Sequence, residues 1–141
     1  MTEKSVISYF SEDTDFELAD AEKHTDWLMN IAGNHDSEIL SLTYIFCSDD
    51  YLLNINKSYL NHNYYTDIIT FPYKQGAELE SDIFISIDRV KDNATQAEVS
   101  FTDELHRVMA HGVLHLIGFG DKTVEEAKIM RAKEDESIAL F

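Results

Sequence analysis

The stretch HGVLHLIGFGD, from His111 to Asp121, combines two histidines and an aspartate at a spacing that suits a metal ion. His111 and His115 are four residues apart. On an α-helix such residues lie about 40° apart around the axis and one turn apart along it, so their imidazole rings can converge on one point. Histidines at this spacing also make ordinary hydrogen bonds in many helices, so the pair alone leaves both interpretations open.

The residues after the second histidine favour the metal interpretation. A metal held by two side chains of one helix needs a third ligand from beyond the helix end, which requires a sharp turn of the chain. Gly118 permits that turn and Asp121 follows it, in the pattern H-x3-H-x2-G-x2-D. The metzincin zinc hydrolases use this geometry with a histidine last. We therefore predict that His111, His115 and Asp121 bind one metal ion. The alternative for Asp121 is a surface position in the turn.

One residue that zinc peptidases need is missing. They place a glutamate directly after the first histidine as general base, and Gly112 occupies that position here. Hydrolysis by this site would therefore rely more on the metal-bound water, whose pKa a zinc ion lowers to about 7.

The elements that must position these residues follow from hydrophobic periodicity and capping signals. They predict an α/β (α+β) fold with a small mixed four-stranded sheet, helices packed over it and a central metal-binding helix. Apolar residues cover most of that helix, Ser100 and Asp103 resemble a capping box at its start, and Gly118 suits its end. Thr123 and Glu126 form a second capping box. The predicted strands are 5–11, 38–48, 67–73 and 82–87, and the predicted helices are 16–32, 49–60, 88–99, 100–118 and 124–140.

Length and composition indicate a single domain spanning residues 1–141, with 44% hydrophobic residues. No apolar run reaches the roughly 18 residues of a membrane span. The N-terminus lacks the features of a signal peptide, and Cys47 as the single cysteine excludes an internal disulfide. We therefore expect a cytoplasmic protein. The net charge of −16 disfavours generic binding to nucleic acids and anionic membranes.

Three segments resemble the YbeY endoribonucleases, also called rRNA maturation factors. HGVLHLIGFGD is similar to the family signature HGxLHLxGYDH, with Asp121 where the signature has its last histidine. INKSYLNHNYYTDIITFP, at 55–72, resembles LNxxYR…PTDVLSFP, and SDIFIS resembles GDIxIS. Two further positions depart from the family: Leu60 replaces an arginine expected to contact phosphate or take part in catalysis, and Ser81 replaces the glycine of GDI.

The resemblance implies a zinc-dependent, single-strand-specific endoribonuclease. Its role would be rRNA maturation, including the 3′ end of small-subunit rRNA, and ribosome quality control in the cytoplasm. The partners implied are single-stranded rRNA and the ribosomal particle or ribosomal proteins, not DNA or a membrane. Nickel or another divalent metal also suits a histidine-rich site. Two alternatives stay open. One is a ribosome assembly factor with a structural metal and little nuclease activity, which Leu60 favours. The other is a metal-dependent hydrolase of another substrate.

Further candidates surround the predicted metal site. Lys57 and His62 are candidates to take over the role of the missing arginine, although His62 also suits a solvated loop. Arg107 is one turn before His111 and is either a phosphate contact or part of a salt bridge. His106 faces another side of the helix and is not expected to be a ligand. The matched residues Thr66 and Asp67 are expected to start a strand. Three tyrosines are candidates either to stack on unpaired bases or to pack against the sheet: Tyr59, Tyr64 and Tyr65.

Overall fold

The computed structural model describes residues 6–141, which form four strands and five helices in the predicted order. The strands are β1 (Ile7–Glu12), β2 (Glu38–Cys47), β3 (Ile68–Lys74) and β4 (Glu78–Ser86). The helices are α1 (Ala21–Asn34), α2 (Asp49–Leu60), α3 (Ile87–Ala97), α4 (Phe101–Ile117) and α5 (Val124–Ala139).

The first helix begins later than its sequence pattern predicted. It starts at Ala21 rather than at Phe16, because Asp20 has a left-handed backbone with φ of 55°. Phe16 instead packs edge-on against the rings of Phe46 and Phe101. The apolar residues before Ala21 therefore belong to a loop that covers the core. The predicted first strand began at Ser5, which lies outside the described residues.

The hairpin between the last two strands is longer than predicted. β4 begins at Glu78 rather than at Asp82, and β3 runs on to Lys74. The turn between them contains Gly76 with φ of 89°, a conformation that glycine adopts without steric cost. The polar residues at the start of β4 hid this part of the strand in the sequence.

The predicted mixed sheet is confirmed, with strand order β1-β2-β4-β3. β1 and β4 pair with β2 in parallel, and β3 pairs with β4 antiparallel. Alternate residues of β4 face opposite sides of the sheet. Ile83 and Ile85 join the main core with α1, α3 and α4, whereas Phe84 packs in a smaller cluster with Cys47 and Leu52. The smaller cluster lies on the side of the sheet that α2 covers.

Helix α4 is central, as predicted, and its ends are fixed by specific contacts. Ser100 accepts a hydrogen bond from the Asp103 N–H at its start. Gly118, with φ of 133°, ends it and donates its N–H to the carbonyl of Leu114. The Tyr44 hydroxyl of β2 donates to the Met109 carbonyl at 3.0 Å, which joins the helix to the sheet.

The capping box predicted for α5 is present in both directions, between Thr123 and Glu126. This helix lies against α4, with Met130, Glu134 and Ser137 on its buried face. Among residues 6–141, no helix combines the length and the apolar character that crossing a membrane requires.

Candidate active site

A cavity of about 460 Å³ opens beside α4. The beginning of β3, one face of α4, the loop after α4 and the buried face of α5 form its walls. All three predicted metal ligands line this cavity. So does Arg107, one of the three other predicted site residues, and so do Thr66 and Asp67 of the matched TD pair.

The two histidines of α4 present matching nitrogen atoms. The rings of His111 and His115 are almost parallel, at 3°, with centroids 6.3 Å apart. His111 Nδ1 donates to Glu134 Oε2 at 2.8 Å, and His115 Nδ1 to the carbonyl oxygen of Phe119 at 3.3 Å. Because these oxygens only accept, both Nδ1 atoms carry the hydrogen. In the neutral rings, both Nε2 atoms then keep a lone pair for a metal ion.

Asp121 reaches the first of these rings from the loop after Gly118. Its Oδ2 atom is 3.4 Å from Nε2 of His111, and its side chain is about half exposed. Two imidazole nitrogens and a carboxylate oxygen are donor types that fit zinc. Within residues 6–141, however, no three histidine, cysteine, aspartate or glutamate side chains are arranged to hold an ion. Metal binding by this donor set stays a prediction.

A buried carboxylate organises the back of the cavity. Glu134 of α5 is only 6% exposed and accepts hydrogen bonds from His111 and from Arg107 Nη1, the latter at 3.0 Å. Arg107 Nη2 also contacts Asp135 at 2.7 Å. Arg107 therefore forms the salt bridge that was one of its two predicted roles. Because a buried carboxylate is costly without partners, this network stabilises the charge of Glu134.

These contacts shift the pKa values around the cavity. Burial lowers the pKa of His111, but the hydrogen bond and the charge of Glu134 outweigh it, so that the pKa is raised overall. Burial lowers the pKa of Arg107 as well, and its bonds to Asp135 and Glu134 raise it above the usual value. Burial also raises the pKa of Asp67 and of Glu104. The cavity thus combines ionised groups with carboxyl groups that keep their protons more readily than in water.

Gly112 explains why no glutamate follows the first histidine. A Cβ atom at this position would lie 3.2 Å from Ile68 Cδ1 and 3.3 Å from Ile83 Cδ1. This side of α4 therefore packs against the sheet, and any side chain here would require Ile68 and Ile83 to move. Packing thus disfavours the general base of zinc peptidases at this position.

A second cavity, of about 240 Å³, adjoins the first and shares Thr66, Ile68 and Thr70 with it. His62 lines this second cavity. Lys57 is exposed on α2 and is not among the described residues that line either cavity. His106 lies away from both, with its Nε2 atom 3.1 Å from Nε2 of His24, as its position on the helix predicted.

Among the site residues that the sequence interpretation missed, which also include Glu104 and Arg131, Glu134 and Asp135 form the salt bridges with Arg107. They lie in the highly charged segment RAKEDES, where most acidic side chains are exposed. One signal was available: Glu134 follows Met130 by four residues and precedes Ser137 by three, which places all three on one face of a helix. Only Met130 in that set is apolar, so the face did not stand out.

Comparisons with known proteins identify similar sequences and a similar fold. A family model described as Endoribonuclease YbeY matches residues 7–141. The protein named Endoribonuclease YbeY from Cytophaga hutchinsonii is 52% identical over 138 residues, 97% of this chain and 96% of that protein. Its namesake from Flavobacterium johnsoniae is 48% identical over 132 residues, 94% and 95% of the two chains. The solution structure of a Thermotoga maritima protein superimposes with a TM-score of 0.69 at 22% identity, over 95% of this chain and 87% of that one.

Proposed function

This chain belongs to the YbeY endoribonuclease family, and we propose that it is a zinc-dependent endoribonuclease that cleaves single-stranded rRNA. Its place would be in the maturation of ribosomal RNA, including the 3′ end of the small-subunit rRNA, and in ribosome quality control in the cytoplasm. The observation that carries the proposal is the pair of parallel imidazoles. Both Nδ1 atoms are held by oxygen acceptors, and the rings share a cavity with Asp121.

The chain's own residues divide the work at this site. His111, His115 and Asp121 would hold the ion, and the hydrogen bond from His111 to Glu134 fixes the orientation of its ring. Arg107 adds positive charge to the cavity wall and holds Glu134 in place through their salt bridge at 3.0 Å. When bound, a zinc ion activates water and offsets negative charge on a phosphodiester. Arg131 also lines the cavity and is a second arginine that could contact a phosphate there.

The acidic charge of the molecule indicates that a partner is needed to bring it to its substrate. With 27 acidic and 11 basic residues, the chain repels free RNA at long range. We therefore propose that contacts with the particle or its proteins bring the enzyme to its substrate. Leu60 stands where the family pattern has an arginine, and this difference favours the alternative of an assembly factor with a structural metal.

The test compares the wild type with His115→Ala on a labelled single-stranded RNA and on the same RNA annealed to its complement. Metal content is measured in both proteins by elemental analysis. We expect the wild type to carry zinc and to cleave the single strand only, and the variant to lose both properties while keeping its circular dichroism spectrum. Equal cleavage by the two proteins would contradict the proposal. Complete unfolding of the wild type on chelation, with no cleavage before it, would favour the structural-metal alternative.

A further inference from the structure

The second cavity is built from the loop after α2 and the beginning of β3. It is continuous with the active site, because Thr66, Ile68 and Thr70 line both cavities. A chain with a phosphate in the first cavity would therefore place an adjacent nucleotide in the second.

The second cavity differs from the first in its charge. Of the eight described residues that line it, none is lysine, arginine, aspartate or glutamate. Leu60, which is 39% exposed, supplies part of its apolar wall. The first cavity, by contrast, contains several carboxylates and two arginines. An uncharged, partly apolar cavity of this size suits a flat ring system better than a phosphate.

Two stacked rings line this cavity. The rings of His62 and Tyr64 are 5.1 Å apart at an angle of 22°, and the Tyr64 hydroxyl lies 3.0 Å from His62 Nδ1. Tyr64 is also 55% exposed. The pair therefore keeps a large aromatic surface accessible, of the kind on which single-stranded nucleic acids stack their bases.

Helix α2 holds this aromatic pair in place. Asn56 is buried, and its side-chain amide donates to the Tyr64 carbonyl at 2.9 Å. Its backbone carbonyl accepts from the His62 N–H at 3.0 Å. Asn61, with a left-handed φ of 56°, turns the chain between them. The loop that carries the two rings is thus fixed before any ligand binds, which reduces the entropy lost on binding.

We propose that the second cavity binds one unpaired nucleobase of the substrate RNA, stacked on Tyr64, next to the phosphate in the active site. The inference rests on the proposed endoribonuclease function. Stacking does not depend on phosphate charge, so it supplies affinity that this acidic chain cannot obtain from counterion release.

The experiment combines a change in the enzyme with a change in the substrate. Wild type, Tyr64→Leu and Tyr64→Phe are assayed on a single-stranded RNA of mapped cleavage site, and on versions with an abasic nucleotide on either side of that site. We expect Tyr64→Leu to lower kcat/KM on intact RNA about tenfold through a higher KM, and Tyr64→Phe to stay near wild type. Tyr73→Leu is the matched control, because Tyr73 is 62% exposed and lies outside the lining of both cavities.

The decisive result is whether the two changes are additive. If the base stacks on Tyr64, removing that base from the substrate lowers kcat/KM of the wild type by about the same factor as Tyr64→Leu does. Removing the same base lowers kcat/KM of Tyr64→Leu little further. Equal losses in both proteins for every abasic position, or no loss in Tyr64→Leu, would overturn the inference.

Fluorescence anisotropy of the same RNAs separates this inference from the proposed function. Non-additive binding losses without cleavage by the wild type would support the base site and contradict the nuclease. Cleavage by the wild type together with additive binding losses would support the nuclease and contradict the base site.

Discussion

At the scale of single residues, Glu134 connects the predicted metal ligands to the rest of the molecule. It is buried, contacts both His111 and Arg107, and comes from a different helix. A carboxylate that accepts from Nδ1 of a metal-binding histidine fixes the ring and makes Nε2 a better donor. The strength of metal binding should therefore depend on a residue that does not touch the ion.

We expect Glu134→Gln to weaken zinc binding by about 10- to 100-fold, because an amide keeps the shape of the side chain but not its charge. Competition with a chromophoric chelator measures the affinity directly, without an activity assay. Glu136→Gln is the matched control, since the Glu136 side chain is 66% exposed on the same helix. Equal affinities of wild type and Glu134→Gln would show that the contact with His111 does not tune the site.

At the scale of secondary-structure elements, the position of α4 against the sheet decides which chemistry is available. Gly112 allows this close approach, since an added Cβ would meet the side chains of Ile68 and Ile83. At about 100° per residue, His111 and His115 lie about 100° and about 60° around the helix from Gly112, where they line the cavity. Restoring the glutamate of zinc peptidases at this position should therefore damage the core instead of adding a base.

We expect Gly112→Glu to lower the free energy of unfolding by more than about 3 kcal/mol, because it crowds the core and buries an unpaired carboxylate. Urea unfolding followed by circular dichroism gives this value. Gly33→Glu on α1 is the control, as a Cβ there meets no atom within 4 Å, and we expect a change below about 1 kcal/mol. Wild-type stability in Gly112→Glu would mean that α4 moves away from the sheet at little cost.

The order and type of the elements followed from the sequence because each has a strong local signal. Residues 41–44 of β2 alternate between polar and apolar side chains. Helix α4 is apolar around most of its circumference, and Ser100, Thr123 and Gly118 mark helix ends. The three predicted metal ligands could be placed in one cavity because they are close in sequence. Glu134 could not, because its contact with His111 spans 23 residues and depends on how α5 packs against α4. The second cavity likewise depends on a loop conformation that Asn56 helps to fix through its contacts with Tyr64 and His62.

At the scale of the whole molecule, the net charge of −16 opposes the proposed substrate. Binding to single-stranded nucleic acid gains by counterion release, with a slope of about −0.7 per phosphate contact in a plot of log affinity against log salt concentration. The arginine deepest in the active site, Arg107, already pairs with two carboxylates. Few phosphates can therefore be neutralised.

We expect weak binding of isolated single-stranded RNA, with a salt slope shallower than about −1.5, corresponding to about two phosphates. Filter binding between 50 and 200 mM salt, roughly the range over which such slopes are measured, gives this value. Tight binding with a slope steeper than about −3 would contradict the proposal that the ribosomal particle recruits the enzyme.

The stability of the molecule should also depend on pH through a buried histidine pair. Burial, together with the neighbouring His24, lowers the pKa of His106 to about 4. The two Nε2 atoms are 3.1 Å apart, so one neutral ring must donate and the other accept. In the unfolded chain the pKa is about 6.5. The unfolded state thus binds the proton more readily between these values, and stability falls as pH is lowered through that window.

We expect His106→Gln to flatten the curve of unfolding free energy against pH between about 6.5 and about 4, since glutamine does not titrate. Asp67 and Glu104 act in the opposite direction, because their raised pKa values favour the folded state as they take up protons. The quantity to measure is therefore the difference in unfolding free energy between wild type and His106→Gln, determined by chemical unfolding at several pH values. Parallel curves would exclude His106 as a source of acid sensitivity.

Cys47 is the last residue of β2 and is fully buried in the small cluster under α2. Its burial, together with the nearby carboxylates of Asp49, Asp88 and Asp13, raises the pKa of its thiol to about 12. Alkylating reagents attack the thiolate, which is scarce in the native fold. Because the chain has one sulfhydryl, the rate of iodoacetamide labelling reports how often the sheet opens. Mass spectrometry can then compare the opening rates of the variants described above without attaching a dye.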